Sequence, residues 1–334
     1  MRGRRHYADA IVARIGIGLI GLGRHGTRYV QHLREFTSDA TLIAVSRRDA
    51  QQGAAFAAAQ GLRFHHDYHA LIADPDVDVV IVVTPPAFTA SICMAAIQAK
   101  KPLLIEKPLA CTGSAAKAMA EAAEATGVPL MTAHTLRFDS AIQAFKMQVS
   151  KASRPHYVAL TYRIERNRVV NKDPAEYGQR GILLEIGTHL FDLIRFLMED
   201  EVVEVRCELD YLEAKAAESR ALVSLRTRRN VSCIVDVSWV STGRVSRVEW
   251  MGSDAHVSAD WVQHRLCRID REQHVEEWLV PPCYTVAETI RAFLAALTKG
   301  EPMPITGWDG YKAVAIADAC YESAKKGRLV RLVS

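Results

Sequence analysis

Residues 15–36 read IGIGLIGLGRHGTRYVQHLREF, and this stretch decides how the first half of the chain folds. A short apolar run is followed at once by three glycines and then by a helical pattern. Gly21 permits a tight turn, Gly23 lets a pyrophosphate approach the backbone, and Gly26 allows the helix to pack closely on the strand. Strand, GxGxxG and helix in this order predict a dinucleotide-binding fold. The residues predicted to contact the cofactor here are Gly21, Leu22, Gly23, Arg24, His25 and Gly26.

Strands and helices continue to alternate as far as residue 133. Val77–Val83 is a continuous apolar, β-branched run, which is typical of a strand buried on both faces of a parallel sheet. Pro102–Ile105 and Pro129–Ala133 are shorter runs of the same kind, separated by alanine-rich helical segments. Residues 14–133 are therefore predicted to form a doubly wound Rossmann sheet, whose ligands bind at the carboxyl ends of the strands. The residues that follow those ends, also predicted to contact the cofactor, are Thr84, Pro85, Pro86, Glu106 and Lys107.

The end of the second strand, Thr41–Val45, bears on which dinucleotide binds. When NAD is bound, an acidic residue about 20 positions after the glycines usually holds the ribose 2′-hydroxyl. Here the sequence is Ser46-Arg47-Arg48, and the first acid is Asp49. A hydroxyl and two guanidinium groups suit a 2′-phosphate. We therefore predict that NADP(H) is preferred, with NAD(H) as the other option; the alternative reading is a pair of solvated surface arginines.

From residue 134 onward the pattern changes, and we predict a second, α+β domain over 134–334. We also predict a short N-terminal extension over 1–13, before the first domain. A helix at Ser140–Val149 is followed by strand-like runs with short connections that indicate hairpins, so the sheet should be open and mostly antiparallel with helices on one face. A last helix, Gly310–Lys326, is expected to cover this sheet or to return to the first domain. The predicted strands are Tyr157–Arg163, Val202–Asp210, Ala221–Arg228, Val231–Val240 and Arg244–Trp250.

Residues 181–200, GILLEIGTHLFDLIRFLMED, predict an amphipathic helix with an unusual polar stripe. At 3.6 residues per turn Glu185, His189 and Asp192 lie one above another beside the apolar face. A histidine that titrates near neutral pH can move a proton while neighbouring carboxylates orient it. The alternative is an ordinary helix with a few partly exposed polar residues.

Composition and charge exclude several classes of protein. The net charge of +4 on 334 residues gives no reason to expect nucleic acid, and no apolar run approaches the ~18 residues of a membrane span. Seven scattered cysteines with no CxxC pair favour reduced thiols and a cytoplasmic location. The cluster His65-His66-Asp67-Tyr68-His69 lacks the spacing of metal ligands, so we predict no metal site there, but a connecting loop in which Asp67 caps the next helix.

Several of these motifs together resemble the glucose-fructose oxidoreductase/inositol dehydrogenase (Gfo/Idh/MocA) family. They are GLGRHG, Thr84-Pro85-Pro86, Glu106-Lys107-Pro108, a helix with a carboxylate four residues before a histidine, and the closing ITGWDG segment with its helix. The similarity spans nearly the whole chain from about Arg14. The resemblance implies a two-domain NAD(P)-dependent oxidoreductase acting on sugars, cyclitols or related polyols. It also suggests a homodimer or homotetramer formed through the second sheet.

The resemblance further implies roles for individual residues. Lys107 and His189 match the family's lysine and histidine that contact the reacting hydroxyl or carbonyl. The family's catalytic aspartate maps to Glu185, which is one methylene longer, and Thr89 stands where many members carry histidine. We expect His189 to be the base in the oxidation direction and Lys107 to polarise the substrate oxygen; the opposite assignment stays open, because coupled groups share their titration.

Substrate contacts are expected from the ends of elements that face the cleft. The alternative for Arg137 is a structural role, in which its guanidinium group binds helix carbonyl oxygens. The alternative function for the whole chain is a non-catalytic NAD(P)-sensing binding or regulatory protein on the same fold. The residues predicted to contact substrate are Lys107, His134, Arg137, Glu165, Asn167, Tyr177, Glu185, His189 and Asp192.

Overall fold

The computed structural model describes residues 14–37, 39–165, 173–212 and 217–332. The first half of the chain alternates strands and helices. In chain order they are β1 (Ile15–Ile20), α1 (Arg24–Phe36), β2 (Ala40–Ser46), α2 (Ala50–Gln60), β3 (Arg63–His65), α3 (Tyr68–Ile72), β4 (Val79–Val82), α4 (Pro86–Gln98), β5 (Leu103–Glu106), α5 (Gly113–Thr126) and β6 (Leu130–Ala133).

These strands form one six-stranded sheet in the order β3-β2-β1-β4-β5-β6, and their pairings are parallel. The strand order reverses between β1 and β4, which is where ligands of open α/β sheets bind. Strands β4, β5 and β6 are buried at every residue, as expected for strands of a parallel sheet that is covered on both faces. The predicted doubly wound sheet is confirmed.

The described residues of the second half form a nine-stranded sheet and four long helices. The described pairs are antiparallel except for β7 with β10, which confirms a mostly antiparallel sheet, and their order is β14-β13-β12-β11-β7-β10-β9-β8-β15. The strands are β7 (Pro155–Glu165), β8 (Val202–Asp210), β9 (Arg220–Thr227), β10 (Ser232–Ser241), β11 (Val245–Gly252), β12 (Ala255–Asp260), β13 (Arg265–Asp270), β14 (Val275–Leu279) and β15 (Val330–Arg331). The helices are α6 (Ser140–Val149), α7 (Thr188–Met198), α8 (Thr285–Lys299) and α9 (Gly307–Lys326).

Helix α9 begins three residues earlier than the sequence pattern predicted. Thr306 caps it by accepting a hydrogen bond from the backbone N–H of Asp309, and the Asp309 carboxylate accepts one from the backbone N–H of Thr306. This reciprocal arrangement satisfies N–H groups that the first turn would otherwise leave unpaired. The capping box therefore moves the start of the helix back to Gly307.

The last two long helices return to the first domain. Ile290 and Phe293 of α8 are fully buried in the same apolar cluster as Ile17 of β1. Helix α9 lies against α5, where Asp318 accepts a hydrogen bond of 2.7 Å from the backbone N–H of Gly113. Among the described residues, no helix is both long enough and apolar enough to cross a membrane.

Because α8 completes the core of the first domain, Phe293→Ala should destabilise the whole protein. Removing a fully buried phenylalanine costs about 3–5 kcal/mol of unfolding free energy. Met147→Ala on α6, where the side chain is 62% exposed, is the control and should change that free energy by less than about 0.5 kcal/mol. Urea denaturation measures both, and equal effects would contradict this placement of α8.

Candidate active site

The glycine-rich turn between β1 and α1 is shaped by contacts that only glycine allows. Gly21 has a φ of 105°, and a Cβ there would lie 2.4 Å from the Val83 carbonyl oxygen. A Cβ on Gly26 would lie 1.8 Å from the Gly21 carbonyl oxygen, so this residue lets α1 meet the turn. A Cβ on Gly23 would meet nothing within 4 Å. Space is therefore open at the start of α1, where unpaired N–H groups and the helix dipole favour a phosphate.

Two arginines follow β2, and one of them contacts this turn. Arg47 donates a hydrogen bond of 3.1 Å to the Leu22 carbonyl oxygen, which holds it against the glycine-rich turn. The Arg48 guanidinium lies 4.5 Å from the centre of the Phe88 ring and donates to Glu176 at 3.0 Å. Asp49, the first acid, is used as the cap of α2 and accepts from the backbone N–H of Gln52 at 2.9 Å. Ser46 is buried, with its hydroxyl 3.5 Å from the His66 carbonyl oxygen.

The Thr84-Pro85-Pro86 turn leads directly into a helix. Pro85 is the residue before α4 and Pro86 is its first residue, where a missing N–H costs nothing. The hydroxyl of Thr89, in the first turns of α4, donates to the Pro85 carbonyl oxygen at 3.4 Å and lies 3.5 Å from the Thr84 hydroxyl. The turn is thus held at the carboxyl end of β4, on the cofactor side of the sheet.

The histidine-rich segment is only partly a loop. Asp67 caps α3 by accepting from the backbone N–H of His69 at 3.0 Å, which confirms the predicted cap. His65, expected in the loop, is instead the last residue of β3, because it continues the pairing of that strand with β2. Its Nε2 pairs with Asp74 at 3.0 Å, while His66 Nε2 lies 3.0 Å from the Arg48 carbonyl oxygen.

Glu106, the last residue of β5, ties that strand to α1. Its Oε1 accepts from the Tyr29 hydroxyl at 2.6 Å and lies 2.7 Å from His25 Nε2. Burial raises the pKa of Glu106, but the charges of His25 and Lys107 and these hydrogen bonds hold it below its ordinary value. Glu106 is thus an ionised anchor that positions the next residue, Lys107. Sequence reasoning missed Tyr29. Its position one turn after Gly26 on the same helix is the feature that could have identified it.

Residues 181–200 are not a regular α-helix, so the predicted stripe is wrong over its first half. Leu183–Gly187 is a π-helical turn, and α7 starts only at Thr188. A π turn has i→i+5 hydrogen bonds and is wider than an α-helical turn. It therefore changes the angular separation of Glu185 and His189 around the helix axis from the one that α-helical spacing predicted. The Thr188 hydroxyl donates to the Leu184 carbonyl oxygen at 2.8 Å inside the turn.

A buried carboxylate from the connection between β8 and β9 holds the start of the π turn. Glu218 Oε1 accepts from the backbone N–H groups of Gly181 at 2.9 Å and Leu183 at 3.1 Å. The Tyr321 hydroxyl of α9 donates to the same oxygen at 2.6 Å. Sequence reasoning missed Glu218, because no local pattern relates it to a helix more than thirty residues earlier in the chain.

Lys107 connects the two halves of the site. It follows β5, and its Nζ donates a hydrogen bond of 3.0 Å to the backbone carbonyl oxygen of Glu185 in the π turn. The pKa of Tyr177 is raised by burial and then by the negative charges of Glu185 and Glu106. Of the predicted site residues, Lys107 and Glu185 are in direct contact.

His189 stands beside a second histidine. The rings of His189 and His134 meet edge to face with centroids 6.5 Å apart. Burial, and then the positive charge of Lys107, lower the pKa of His189 well below its ordinary value. Burial likewise lowers the pKa of His134, which is 2% exposed. Both imidazoles are therefore neutral at neutral pH.

Asp192 and Arg137 pair with each other behind these histidines. Arg137 donates to the two oxygens of Asp192 at 2.8 and 2.6 Å, and its Nη2 also donates to Asp309 at 3.0 Å. Asp192 is 1% exposed. Arg137 also donates to the Pro304 carbonyl oxygen at 3.3 Å, so the geometry favours the structural alternative for this residue.

Of the remaining predicted substrate residues, Glu165 lies on the second sheet. Glu165 is the last residue of β7, and its Oε2 is 3.8 Å from Nε of Arg244, which precedes β11. Asn167 lies outside the described residues. The predicted residues that the structure does gather at the ends of β5 and β6 are Lys107, His134, Glu185 and His189.

Comparison with known proteins relates both halves of the chain to one group of enzymes. Residues 15–134 match the Gfo/Idh/MocA oxidoreductase family model for the NAD-binding Rossmann fold, and residues 154–332 match the model for the C-terminal alpha/beta domain of the same family. The chain is 29% identical to myo-inositol 2-dehydrogenase of Thermotoga maritima, covering 95% of this chain and 98% of that protein. It is 28% identical to D-apiose dehydrogenase of Paraburkholderia graminis, covering 97% and 91%.

A solved structure supports the same fold. The crystal structure of an oxidoreductase domain protein from Kribbella flavida superposes with a TM-score of 0.88 over 96% of this chain and 100% of that chain, at 23% identity. At this identity the likeness concerns the arrangement of the two sheets and their helices.

The open space at Gly23 predicts different effects for two neighbouring glycine substitutions. Gly23→Ala should leave the melting temperature unchanged, because its Cβ meets nothing, yet weaken dinucleotide binding at least about tenfold by occupying the phosphate space. Gly26→Ala should lower the melting temperature, because its Cβ would overlap the Gly21 carbonyl oxygen. Thermal unfolding and fluorescence titration with NADH and NADPH measure both effects, and full cofactor affinity in Gly23→Ala would contradict the assignment.

Proposed function

This chain belongs to the Gfo/Idh/MocA oxidoreductase family, and we propose that it transfers a hydride between nicotinamide C4 and a secondary alcohol or ketone of a sugar, cyclitol or related polyol. One observation carries the proposal. Lys107 follows β5, and His189 packs against His134, which follows the neighbouring strand β6, so both lie at the carboxyl edge of the parallel sheet, the edge that carries the open glycine turn. That edge is where the nicotinamide of a dinucleotide bound at the turn would lie.

The bound nicotinamide supplies the hydride acceptor or donor, and the chain's own residues handle the proton and the charge. Lys107 hydrogen-bonds the substrate oxygen and stabilises the negative charge that grows there as hydride leaves the carbon. Its link to the Glu185 carbonyl oxygen keeps the ammonium aimed into the cleft before substrate arrives.

His189 accepts the hydroxyl proton in the oxidation direction. Burial and Lys107 lower its pKa, so at neutral pH the imidazole is unprotonated, which is the form that can accept a proton. Glu185, whose carbonyl oxygen accepts from Lys107, and Tyr177 are proposed to contact substrate hydroxyls. The exchange of roles between Lys107 and His189 remains the alternative, because their charges act on each other.

The substrate class follows from relatives that share nearly the whole length of this chain. One acts on myo-inositol, a cyclitol, and another on D-apiose, a branched sugar. Both substrates are polyols with several secondary or neighbouring hydroxyl groups. We propose a substrate of this kind without assigning a single compound.

NADP(H) is proposed as the preferred cofactor, with NAD(H) as the alternative. Arg47 and Arg48 supply two positive charges after β2, and Asp49 is engaged in capping α2. A 2′-phosphate gains charge-assisted hydrogen bonds from such guanidinium groups. Arg48 pairs with Glu176 at 3.0 Å, and a 2′-phosphate would compete with Glu176 for that guanidinium.

Association through the second sheet is proposed for the homo-oligomer. Along β9 buried and exposed residues alternate strictly, so one face of the sheet packs on helices and the other faces outward. The outward side includes exposed Leu222, Val240 and Val245. Apolar side chains on an open sheet face are favourable for pairing subunits.

Replacing the two proposed catalytic side chains should abolish turnover while sparing cofactor binding. Lys107→Met and His189→Gln should each lower kcat at least about 100-fold, because each removes a group that acts at the reacting oxygen. Absorbance of the reduced cofactor, with myo-inositol, D-apiose and other polyols, measures the rate.

Exposed Lys117→Met and His69→Gln are the matched controls and should retain wild-type rates. Near-full activity in Lys107→Met or His189→Gln would overturn the assigned roles. Tight binding of NADPH or NADH by the wild type without turnover of any polyol would favour the NAD(P)-sensing alternative.

The cofactor proposal predicts the effect of reversing one charge after β2. Arg47→Asp should raise the Kd for NADPH at least about tenfold, because a charge-assisted bond is lost and a repulsive carboxylate is added, while the Kd for NADH should stay constant or fall. Arg34→Asp near the end of α1 makes the same charge change away from the ribose and is the control. Unchanged NADPH affinity in Arg47→Asp would contradict the 2′-phosphate argument.

A further inference from the structure

His134 is a buried histidine at the strand ends whose ring nitrogens lack partners. It is 2% exposed, and within the described parts of the chain neither Nδ1 nor Nε2 has a hydrogen-bond partner. A buried polar atom without a partner costs about 1–3 kcal/mol. Such an atom at a ligand-binding edge is accounted for when the ligand supplies the missing hydrogen bond.

The position of His134 is determined by the parallel sheet. Glu106 and Ala133, the last residues of β5 and β6, are paired in register. Lys107 and His134 are the residues that follow them, so their backbones leave the sheet side by side, about 5 Å apart. The His189 ring faces His134 from α7. Lys107, His189 and His134 therefore lie near one another at the end of the sheet.

The charges around His134 favour one form of its ring. Asp192 Oδ2 lies 3.9 Å from Nδ1, which is too far for a hydrogen bond but favours a proton on that nitrogen. Arg137 and Arg195, whose guanidinium groups face the same carboxylates of Asp192 and Asp309, oppose a second proton on the ring. The neutral ring therefore presents Nε2 as a hydrogen-bond acceptor, and an acceptor requires a donor such as a hydroxyl.

We propose that His134 binds a second hydroxyl of the substrate, on the carbon next to the reacting one, through Nε2. The inference rests on the proposed function, and it narrows the substrate class to compounds with neighbouring hydroxyl groups. Lys107 and His189 engage the reacting oxygen, and His134, beside both, engages its neighbour. A site built to hydrogen-bond a hydroxyl rejects an analogue that lacks it, because its own polar group is then left unpaired.

The test compares cis- and trans-1,2-cyclohexanediol and myo-inositol with cyclohexanol, which has no second hydroxyl. For the wild type, kcat/KM for at least one diol should exceed that for cyclohexanol by at least about tenfold. His134→Phe keeps a ring of similar size without nitrogen, and its ratio should fall to near one. His134→Gln retains an acceptor oxygen and should retain part of the ratio.

His32→Phe is the matched control. His32 is also a buried histidine, 7% exposed, with an unpartnered Nδ1, but it packs against the rings of Phe36 and Tyr284 on the far part of α1. The same substitution there should leave the diol-to-cyclohexanol ratio at the wild-type value. Cofactor affinity and melting temperature, measured for each variant, identify any loss of fold.

The outcomes separate this inference from the function on which it rests. An equal fall in kcat/KM for diol and cyclohexanol in His134→Phe, with the ratio preserved, overturns the inference and leaves the dehydrogenase activity intact. A wild type that does not prefer either diol overturns it as well. A wild type that oxidises neither these compounds nor any polyol with NAD or NADP overturns the proposed function, and the inference with it.

Discussion

The hydrogen bond from Lys107 Nζ to the Glu185 carbonyl oxygen is the contact on which the site depends. It joins the end of a strand in the first domain to a π turn in the second. The bond requires a backbone carbonyl oxygen that can accept from a side chain. This carbonyl lies in the wider π turn, where the backbone departs from regular α-helical geometry. Hydrogen bonds to a charged donor contribute about 1.5–3 kcal/mol each, enough to hold a flexible lysine in one direction.

Two buried polar groups support this contact from either side. In the first domain Glu106 is bound by Tyr29 and His25, so the residue before Lys107 is immobilised. In the second domain Glu218 binds the backbone at the start of the π turn. Carboxylates are costly to bury unless hydrogen bonds satisfy them, and several donors meet each of these two. The geometry of the site therefore depends on residues that do not themselves contact the reacting atoms.

The polar stripe 185–189–192 illustrates where reasoning from spacing succeeds and where it fails. His189 lies against His134 at the end of the parallel sheet, but Asp192 pairs with Arg137 and belongs to a buried ion-pair group with Asp309. Removing one partner of such a pair costs about 3–5 kcal/mol, because a buried charge is left alone. Arg137 and Asp309 are 172 residues apart in the chain, and no local pattern relates them.

The sequence by itself determined the parallel sheet, the glycine turn, the antiparallel second sheet and the placement of Lys107 at a strand end. These features depend on short-range rules, namely residue periodicity, turn geometry and the burial of β-branched runs. Only the tertiary structure decided the π turn, the anchoring by Glu218 and the meeting of His134 with His189. Those features depend on contacts between segments far apart in the chain. They also depend on packing that offsets the free-energy cost of an unusual backbone turn or an unpaired buried nitrogen.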